Sequence, residues 1–384
     1  MPHFSCGRIY YTLSRRKNQM FYRGICKNYC VNCGIVKNNR LIALKRLTLR
    51  NIMSYAICAR KFAVELNMKE NDAYNNKERT FVPVGRFAPT PSGELHAGNV
   101  LCALIAYLSV KSRGGKFLLR IEDLDAVRCP KVSAQKILDI LGAFGLDGDE
   151  PPLRQSERGG VYRAKEEILR SKNLVYPCFC TRAQLHASEA PRLGDGGVVY
   201  SGVCRSLTEE QAAEKAKMRK PCLRVAVPDS DITFHDGIAG VFTQNLSREC
   251  GDFIIRRSDG VYAYQLAVSV DDGESGVTEV VRGADLLSST PRQIWLMNLL
   301  GYNTPKYYHI PLVCDPFGRK LSKSEGDGIA HRLAVSSPER LLGSLAYAAH
   351  IIPADVPASL PELTDAFSWE KIPKTRILLP QSLM

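Results

Sequence analysis

Gly85-Arg86-Phe87-Ala88-Pro89-Thr90-Pro91-Ser92-Gly93-Glu94-Leu95-His96-Ala97-Gly98-Asn99 is the stretch that decides the fold. It follows Phe81–Val84, so Phe81 to Phe87 reads as a short strand. Ala88 to Gly93 then reads as a turn held in shape by proline and glycine. From Val100 the apolar residues recur at Leu101, Leu104, Ile105 and Leu108, one face of a helix, and Gly114-Gly115 ends it as a left-handed cap would. His96-Ala97-Gly98-Asn99 therefore lies at a helix N-terminus. There the free backbone N–H groups and the macrodipole favour a phosphate, and a bare Gly98 would let a flat ring such as adenine approach closely.

A second string stands near the other end of the same region. Gly318-Arg319-Lys320-Leu321-Ser322-Lys323-Ser324 puts three cations into five residues beside a glycine and two serines. Such a loop can close over a triphosphate and stabilise charge developing on a departing pyrophosphate. Between the two strings, strands and helices alternate up to about Leu174 and resume at Phe253–Ile255 and Tyr264–Val270. A helix starting at Thr290-Pro291 with threonine as its cap stops at Gly301. The interval from Leu174 to about Asn245 breaks the alternation. It holds a helix over Glu209–Arg219, opened by the capping box Thr208-Glu209-Glu210-Gln211. Strand–helix units split by an insertion predict an α/β, doubly wound, Rossmann-like domain.

Together these strings resemble the two signature motifs of class I aminoacyl-tRNA synthetases, in the forms used by the glutamate group. Gly85 to His96, Arg120-Ile121-Glu122-Asp123-Leu124-Asp125 and Val281-Arg282-Gly283-Ala284-Asp285-Leu286 are similar to segments of glutamyl-tRNA synthetases. They are closer still to the short paralogous family, the glutamyl-queuosine tRNA(Asp) synthetases. The resemblance runs from about residue 82 to about 325. It implies catalytic roles for His96, Asn99, Lys320 and Lys323, and ATP contacts at His96, Gly98, Asn99 and Lys323. It implies glutamate contacts at Arg86, Phe87, Ala88, Pro89 and Thr90, and at Glu122, Tyr264 and Arg282.

Charge chemistry agrees with that pocket. A glutamate substrate needs a cation for its side-chain carboxylate and an acceptor for its ammonium. Arg86 ends the first strand and can offer a bidentate fork; Glu122 ends the strand Phe117–Ile121 and can accept from an ammonium. Arg282 and Tyr264 would supply a second cation and a hydroxyl from the other half of the domain. The pair Asp271-Asp272 suggests an acid/base dyad, but adenylate formation runs on positioning and electrostatics, so a structural or ribose-side role is assigned to it.

The cysteines carry a further signal. Cys178-Phe179-Cys180 after Pro177 and the later Cys204 offer three thiolates, and a tetrahedral zinc needs a fourth ligand. His186 is the chemically obvious candidate; the resemblance points instead to Tyr200. Either set predicts one structural zinc per chain, with no open position for a catalytic water; unrelated buried thiols are the competing reading.

Composition supports an enzyme. The chain has 384 residues, 45% of them apolar, and a formal charge of +13. Residues 1–80 hold 16 Lys+Arg against 4 Asp+Glu, a net +12, which leaves +1 for the rest. The leader admits four readings: a nucleic-acid arm, a transit peptide, half a zinc knuckle at Cys30-x-x-Cys33, or a disordered or non-native extension, the one favoured here. The longest apolar run, Val100 to Val110, is too short to span a bilayer, and 13 irregularly spaced cysteines fit a reduced, cytoplasmic protein.

The expected organisation is a basic extension over 1–80, catalytic halves over 81–175 and 246–325, a zinc- and substrate-binding insertion over 176–245, and a short helical region over 326–384. Only 60 residues follow Ser324, too few for the helical anticodon-binding region of a complete glutamyl-tRNA synthetase. The expected reaction is therefore ATP- and magnesium-dependent activation of L-glutamate and its transfer to the queuosine base of tRNA(Asp), by a monomer. A truncated glutamyl-tRNA synthetase charging tRNA(Glu), another nucleotidyltransferase of this fold and a non-catalytic RNA-binding module are the competing readings.

Overall fold

The computed structural model describes residues 82–186, 199–319 and 337–383, together with five short strands between residues 10 and 41. The chain divides into two units, Met1–Thr80 and Phe81–Met384. In the first, Tyr10–Arg16, Gln19–Cys26, Tyr29–Asn32, Val36–Lys37 and Arg40–Leu41 form an antiparallel sheet. The remainder of the leader, including Cys33, lies outside the described residues, and with it most of what the sequence suggested for 1–80.

The second unit opens with strand β1 (Val84–Phe87), helix α1 (Ala97–Lys111), β2 (Lys116–Ile121), α2 (Lys131–Ala143), β3 (Leu153–Arg154) and α3 (Gly159–Ser171). After β4 (Val175–Cys178) come a short helix α4 (Arg182–His186), α5 (Glu209–Met218) and β5 (Cys222–Val225). The hairpin β6 (Asp231–Asp236) and β7 (Gly240–Asn245) precedes β8 (Phe253–Arg256). The chain then runs through α6 (Tyr264–Glu274), β9 (Glu279–Gly283), α7 (Thr290–Leu300), β10 (Lys306–Ile310) and β11 (Val313–Cys314). It closes with α8 (Pro338–Ala348), α9 (Leu360–Ala366) and β12 (Ile377–Leu378).

The main sheet has the order β7-β6-β10-β9-β1-β2-β3, parallel throughout except for the β6–β7 hairpin. From β3 to β10 this is the doubly wound order, reversing direction between β1 and β9, and ligands of such sheets bind in the crevice outside that reversal. Both faces are covered, as parallel sheets require. Neighbours Val280 and Val281 on β9 point to opposite faces and join different apolar clusters, Val280 with Ile294 and Tyr307, Val281 with the core around α1. A third cluster packs Tyr162 and Leu169 of α3 against Leu266 and Val270 of α6 and Ile255 of β8.

Helix α1 differs from a one-sided amphipathic helix. Ala103 and Ala106, off the predicted stripe, are as buried as Leu104, because Leu341 and Leu345 of α8 and Leu363 of α9 belong to the same core. Its end matches expectation: Gly114 has φ +66°, the left-handed region that glycine occupies without a Cβ penalty. At the other helices the shifts are small. The capping box on α5 forms, with Gln211 N–H donating to Thr208 Oγ1 at 3.2 Å and Thr208 N–H to Gln211 Oε1 at 3.1 Å. Thr290 is not a cap but the first residue of α7, since a 3-10 turn over Ala284–Ser289 runs straight into it.

Two segments pair in ways that local pattern did not convey. β8 does not extend the main sheet; it pairs antiparallel with β5, which pairs with β4, in a separate three-stranded sheet. Conversely, the β6–β7 hairpin leaves the inserted region and joins the edge of the main sheet through Asp236 opposite Tyr307 on β10. Tyr264–Val270 is helical, its apolar Leu266, Ala267 and Val270 falling three to four apart on the buried side. Among the described residues no helix is long and apolar enough to cross a membrane.

Candidate active site

The carboxyl ends of β1, β2 and β9 converge on the crevice. At its rim stands the start of α1, where Asn99 Oδ1 accepts the backbone N–H of His96 at 3.2 Å. A Cβ placed on Gly98 would meet His96 Cε1 and Nδ1 at 3.1 Å. The missing side chain at 98 is thus filled by the His96 ring, so the turn and the imidazole form one surface.

Below this rim lies a buried ionic network. Arg86 closes its fork on Asp272 of α6, Nε to Oδ1 at 3.0 Å and Nη2 to Oδ2 at 3.3 Å, while Nη1 reaches Val281 O at 3.3 Å. The bidentate geometry expected for a substrate carboxylate is therefore used internally, and Arg86 forms part of the crevice floor. Arg120 on β2 bonds Asp272 at 2.5 Å and Glu122 at 3.3 Å. Burial opposes ionisation of Asp272, yet Arg120 and Arg86 override it and hold the carboxyl down to about 2. Glu122 goes the other way: burial raises its pKa, and Arg120 and Arg86 offset only part of the effect. Pro89 O receives the Glu122 N–H at 3.0 Å, and the exposed Thr90 hydroxyl lies 3.4 Å from Glu122 Oε2. Phe87 and Pro89 are buried at the strand end and Ala88 half-buried.

Asp271 has a different task from Asp272. Its carboxylate accepts from Gln155 at 2.7 Å, Arg158 at 2.7 Å and Tyr162 at 2.9 Å. It is fully buried and ties α6 to α3 and the turn before it. The aspartate pair is a structural clamp, as the sequence reading allowed, and not an acid/base dyad.

Across the crevice Arg282, at the end of β9, has three of its nitrogens engaged. Nε donates to His309 Nε2 at 3.1 Å, Nη1 to Gln293 Oε1 at 2.8 Å and Nη2 to Thr290 Oγ1 at 2.7 Å. Gln293 in turn bonds Gln265, which bonds Ser289. Tyr264 opens α6 half-buried between the two networks; burial and the charge of Glu122 raise its pKa, with Arg282 and Arg86 opposing. Arg86, Glu122, Tyr264 and Arg282 thus share one electrostatic environment. On the Lys-rich loop only Arg319 is described, bonded to Asp315 at 2.6 Å; Lys320 and Lys323 lie outside the described residues.

Sequence reasoning missed Arg120, Asp236, His309, Gln265 and Gln293. A signal was available for two of them. Arg120 stands between Leu119 and Ile121 and His309 between Tyr308 and Ile310, and a polar side chain in a strand buried on both faces must have a built partner.

The cysteine cluster is a separate, closed site. Cys178, Cys180 and Cys204 have their sulfurs within 4.8 Å of one another. The Tyr200 hydroxyl lies 3.4 Å from Cys178 Sγ and 3.7 Å from Cys180 Sγ. Arg224 stacks on the Tyr200 ring at 3.8 Å. Three soft donors and one oxygen facing a common centre could hold a metal ion. The side chain of His186, the other candidate ligand, lies outside the described residues.

Residues 83–339 match the family described as tRNA synthetases class I (E and Q), catalytic domain. The sheet order, the crevice at its reversal and this match define a class I tRNA synthetase catalytic domain. The chain is 48% identical over 240 residues to the glutamyl-Q tRNA(Asp) synthetase of Thiobacillus denitrificans, covering 62% of this chain and 77% of that one. It is 45% identical over 313 residues to the protein of that name from Symbiobacterium thermophilum, covering 77% and 95%. Among solved structures it is similar to the glutamate-tRNA synthetase of Elizabethkingia anophelis, with TM-score 0.68 and 29% identity over 79% of this chain and 68% of that one. The chain belongs to the glutamyl-Q tRNA(Asp) synthetase family.

Proposed function

We propose that this enzyme activates L-glutamate with ATP and transfers it to the queuosine base of tRNA(Asp). The observation that carries the reading is the meeting of Arg86, Glu122, Tyr264 and Arg282 in one crevice beside the His96–Asn99 helix start. In the proposed reaction Arg282 takes the glutamate side-chain carboxylate through its remaining N–H groups, and Glu122 with Tyr264 takes the ammonium. Arg86 and the backbone over Phe87–Thr90 shape the floor. The α-carboxylate then attacks the α-phosphorus of ATP, which enters with magnesium as substrate. The N-terminus of α1, with His96, Gly98 and Asn99, receives the phosphates and adenine, and Lys320 and Lys323 stabilise the departing pyrophosphate. A hydroxyl of the queuosine base takes the glutamyl group from the adenylate. No side chain becomes covalently attached.

Cys178, Cys180, Tyr200 and Cys204 are proposed to hold one structural zinc. The ion would supply cross-linking of the insertion around β4, with no exchangeable position for chemistry. A monomer working in the cytoplasm completes the reading. Its test is glutamate- and ATP-dependent labelling of tRNA from cells with and without queuosine. Labelling confined to tRNA(Asp) of the queuosine-containing pool is expected; equal labelling of both pools, or labelling of tRNA(Glu), would refute it.

A further inference from the structure

Arg282 could bind a carboxylate only if its planar fork is held at a fixed angle, and the groups that hold it are on the page. A guanidinium carries five N–H donors and no acceptor. Three are committed, to His309, Gln293 and Thr290, which leaves two for a substrate. Since Arg282 Nε can only donate, His309 Nε2 must accept, so the ring proton resides on Nδ1. From there it donates to Asp236 Oδ2 at 2.6 Å. Asp236 is itself fixed by the backbone N–H groups of Ile238 at 2.9 Å, Ala239 at 2.8 Å and His309 at 3.2 Å. Both His309 and Asp236 side chains are fully buried, and the His309 ring stacks on Tyr307 at an interplanar angle of 14°. Burial lowers the His309 pKa, with Arg282 adding to the effect against the pull of Asp236, which keeps the acceptor nitrogen bare.

We propose that Asp236 and His309 are a positioning couple that orients Arg282 toward the side-chain carboxylate of the amino-acid substrate. The inference rests on the glutamate-activating reading above. It also gives the β6–β7 hairpin a function: the strand that joins the sheet edge delivers Asp236 beneath the histidine.

The two amide replacements of His309 separate positioning from packing. His309→Gln can place an amide oxygen near the position of Nε2 and keep the acceptor for Arg282. His309→Asn keeps a donor toward Asp236 but leaves nothing at Nε2. On the full chain, glutamate-dependent ATP–pyrophosphate exchange should show the glutamate KM of H309N raised about tenfold or more, the scale of one hydrogen bond to a charged group. Its kcat and ATP KM should stay within about threefold, and H309Q should lie near wild type. Asp236→Asn, which keeps the shape but loses the charge, supplies an independent arm with an intermediate rise in glutamate KM. A glutamate KM unchanged in both H309N and D236N overturns the proposal, as does equal damage to the glutamate and ATP parameters in H309N and H309Q. Wild-type protein that is folded yet neither binds glutamate by calorimetry nor exchanges pyrophosphate overturns the functional reading and this inference with it. Active wild type with a glutamate KM unchanged in both H309N and D236N overturns the inference alone.

Discussion

Replacing Asp272 by asparagine removes the charge on which the crevice floor depends. Asp272 bonds Arg86 at 3.0 and 3.3 Å and Arg120 at 2.5 Å, all three buried. Glu122 at 3.3 Å and Asp271 at 4.0 Å remain near Arg120, so it is Arg86 that loses the carboxylate closing its fork. Breaking a buried ion pair from one side costs about 3–5 kcal/mol. With an unfolding entropy of about 2.1 cal/mol/K per residue over the roughly 300 residues from Phe81 to Met384, Tm should fall by roughly 5–8 °C. The pH dependence carries a sign. The folded Asp272 pKa, about 2, lies below the ordinary 3.8, so its contribution is present in full above pH 3.8 and is lost as pH falls toward 2. The difference corresponds to about 2 kcal/mol, and D272N should lose that part of the acid slope. Thermal unfolding at pH 7 and urea unfolding between pH 7 and pH 2.5, both followed by circular dichroism on wild type and variant, measure the two quantities. A D272N protein with unchanged Tm and an unchanged acid slope would refute the reasoning.

Other perturbations address single features. Glu122→Gln should raise the glutamate KM at neutral pH. In wild type, because burial raises the Glu122 pKa, protonation as pH falls should weaken glutamate binding from above the ordinary carboxylate range; E122Q should lack that limb in a KM–pH profile. Gly98→Ala must push the His96 ring from its 3.1 Å contact, with the ATP KM rising by up to about tenfold and little loss of Tm. Cys178→Ser should lower zinc content, read by mass spectrometry of the purified protein, from one per chain to near zero.

The parts of this molecule legible in its sequence are those in which neighbours along the chain are also neighbours in space. The strand–turn–helix from Val84 to Lys111 is such a unit, and so are the α5 capping box and the Gly114 stop. Cys178 and Cys180 are adjacent on one turn, so a cluster with Cys204 could be anticipated. What escaped was set at long range. Arg86 was expected to offer its fork to a substrate carboxylate; the partner that takes the fork lies 186 residues away on α6. The pairing of β8 with β5, and of β6 with β10, likewise depended on partners that no local periodicity identifies.

The two arginines of the crevice show what this means for specificity. Local sequence presents Arg86 and Arg282 as equivalent, each an arginine ending a parallel strand beside the reversal of the sheet. Their surroundings make them different. Arg86 faces a carboxylate that satisfies its fork and cancels its charge. Among the described residues the side chains that hydrogen-bond Arg282 are neutral acceptors, His309, Gln293 and Thr290, which fix its plane without cancelling its charge. A carboxylate arriving in the crevice gains more from the second than from the first. The selection between them is made by Asp272 on α6 and Asp236 on the hairpin: one carboxylate placed directly on an arginine, the other held one histidine away.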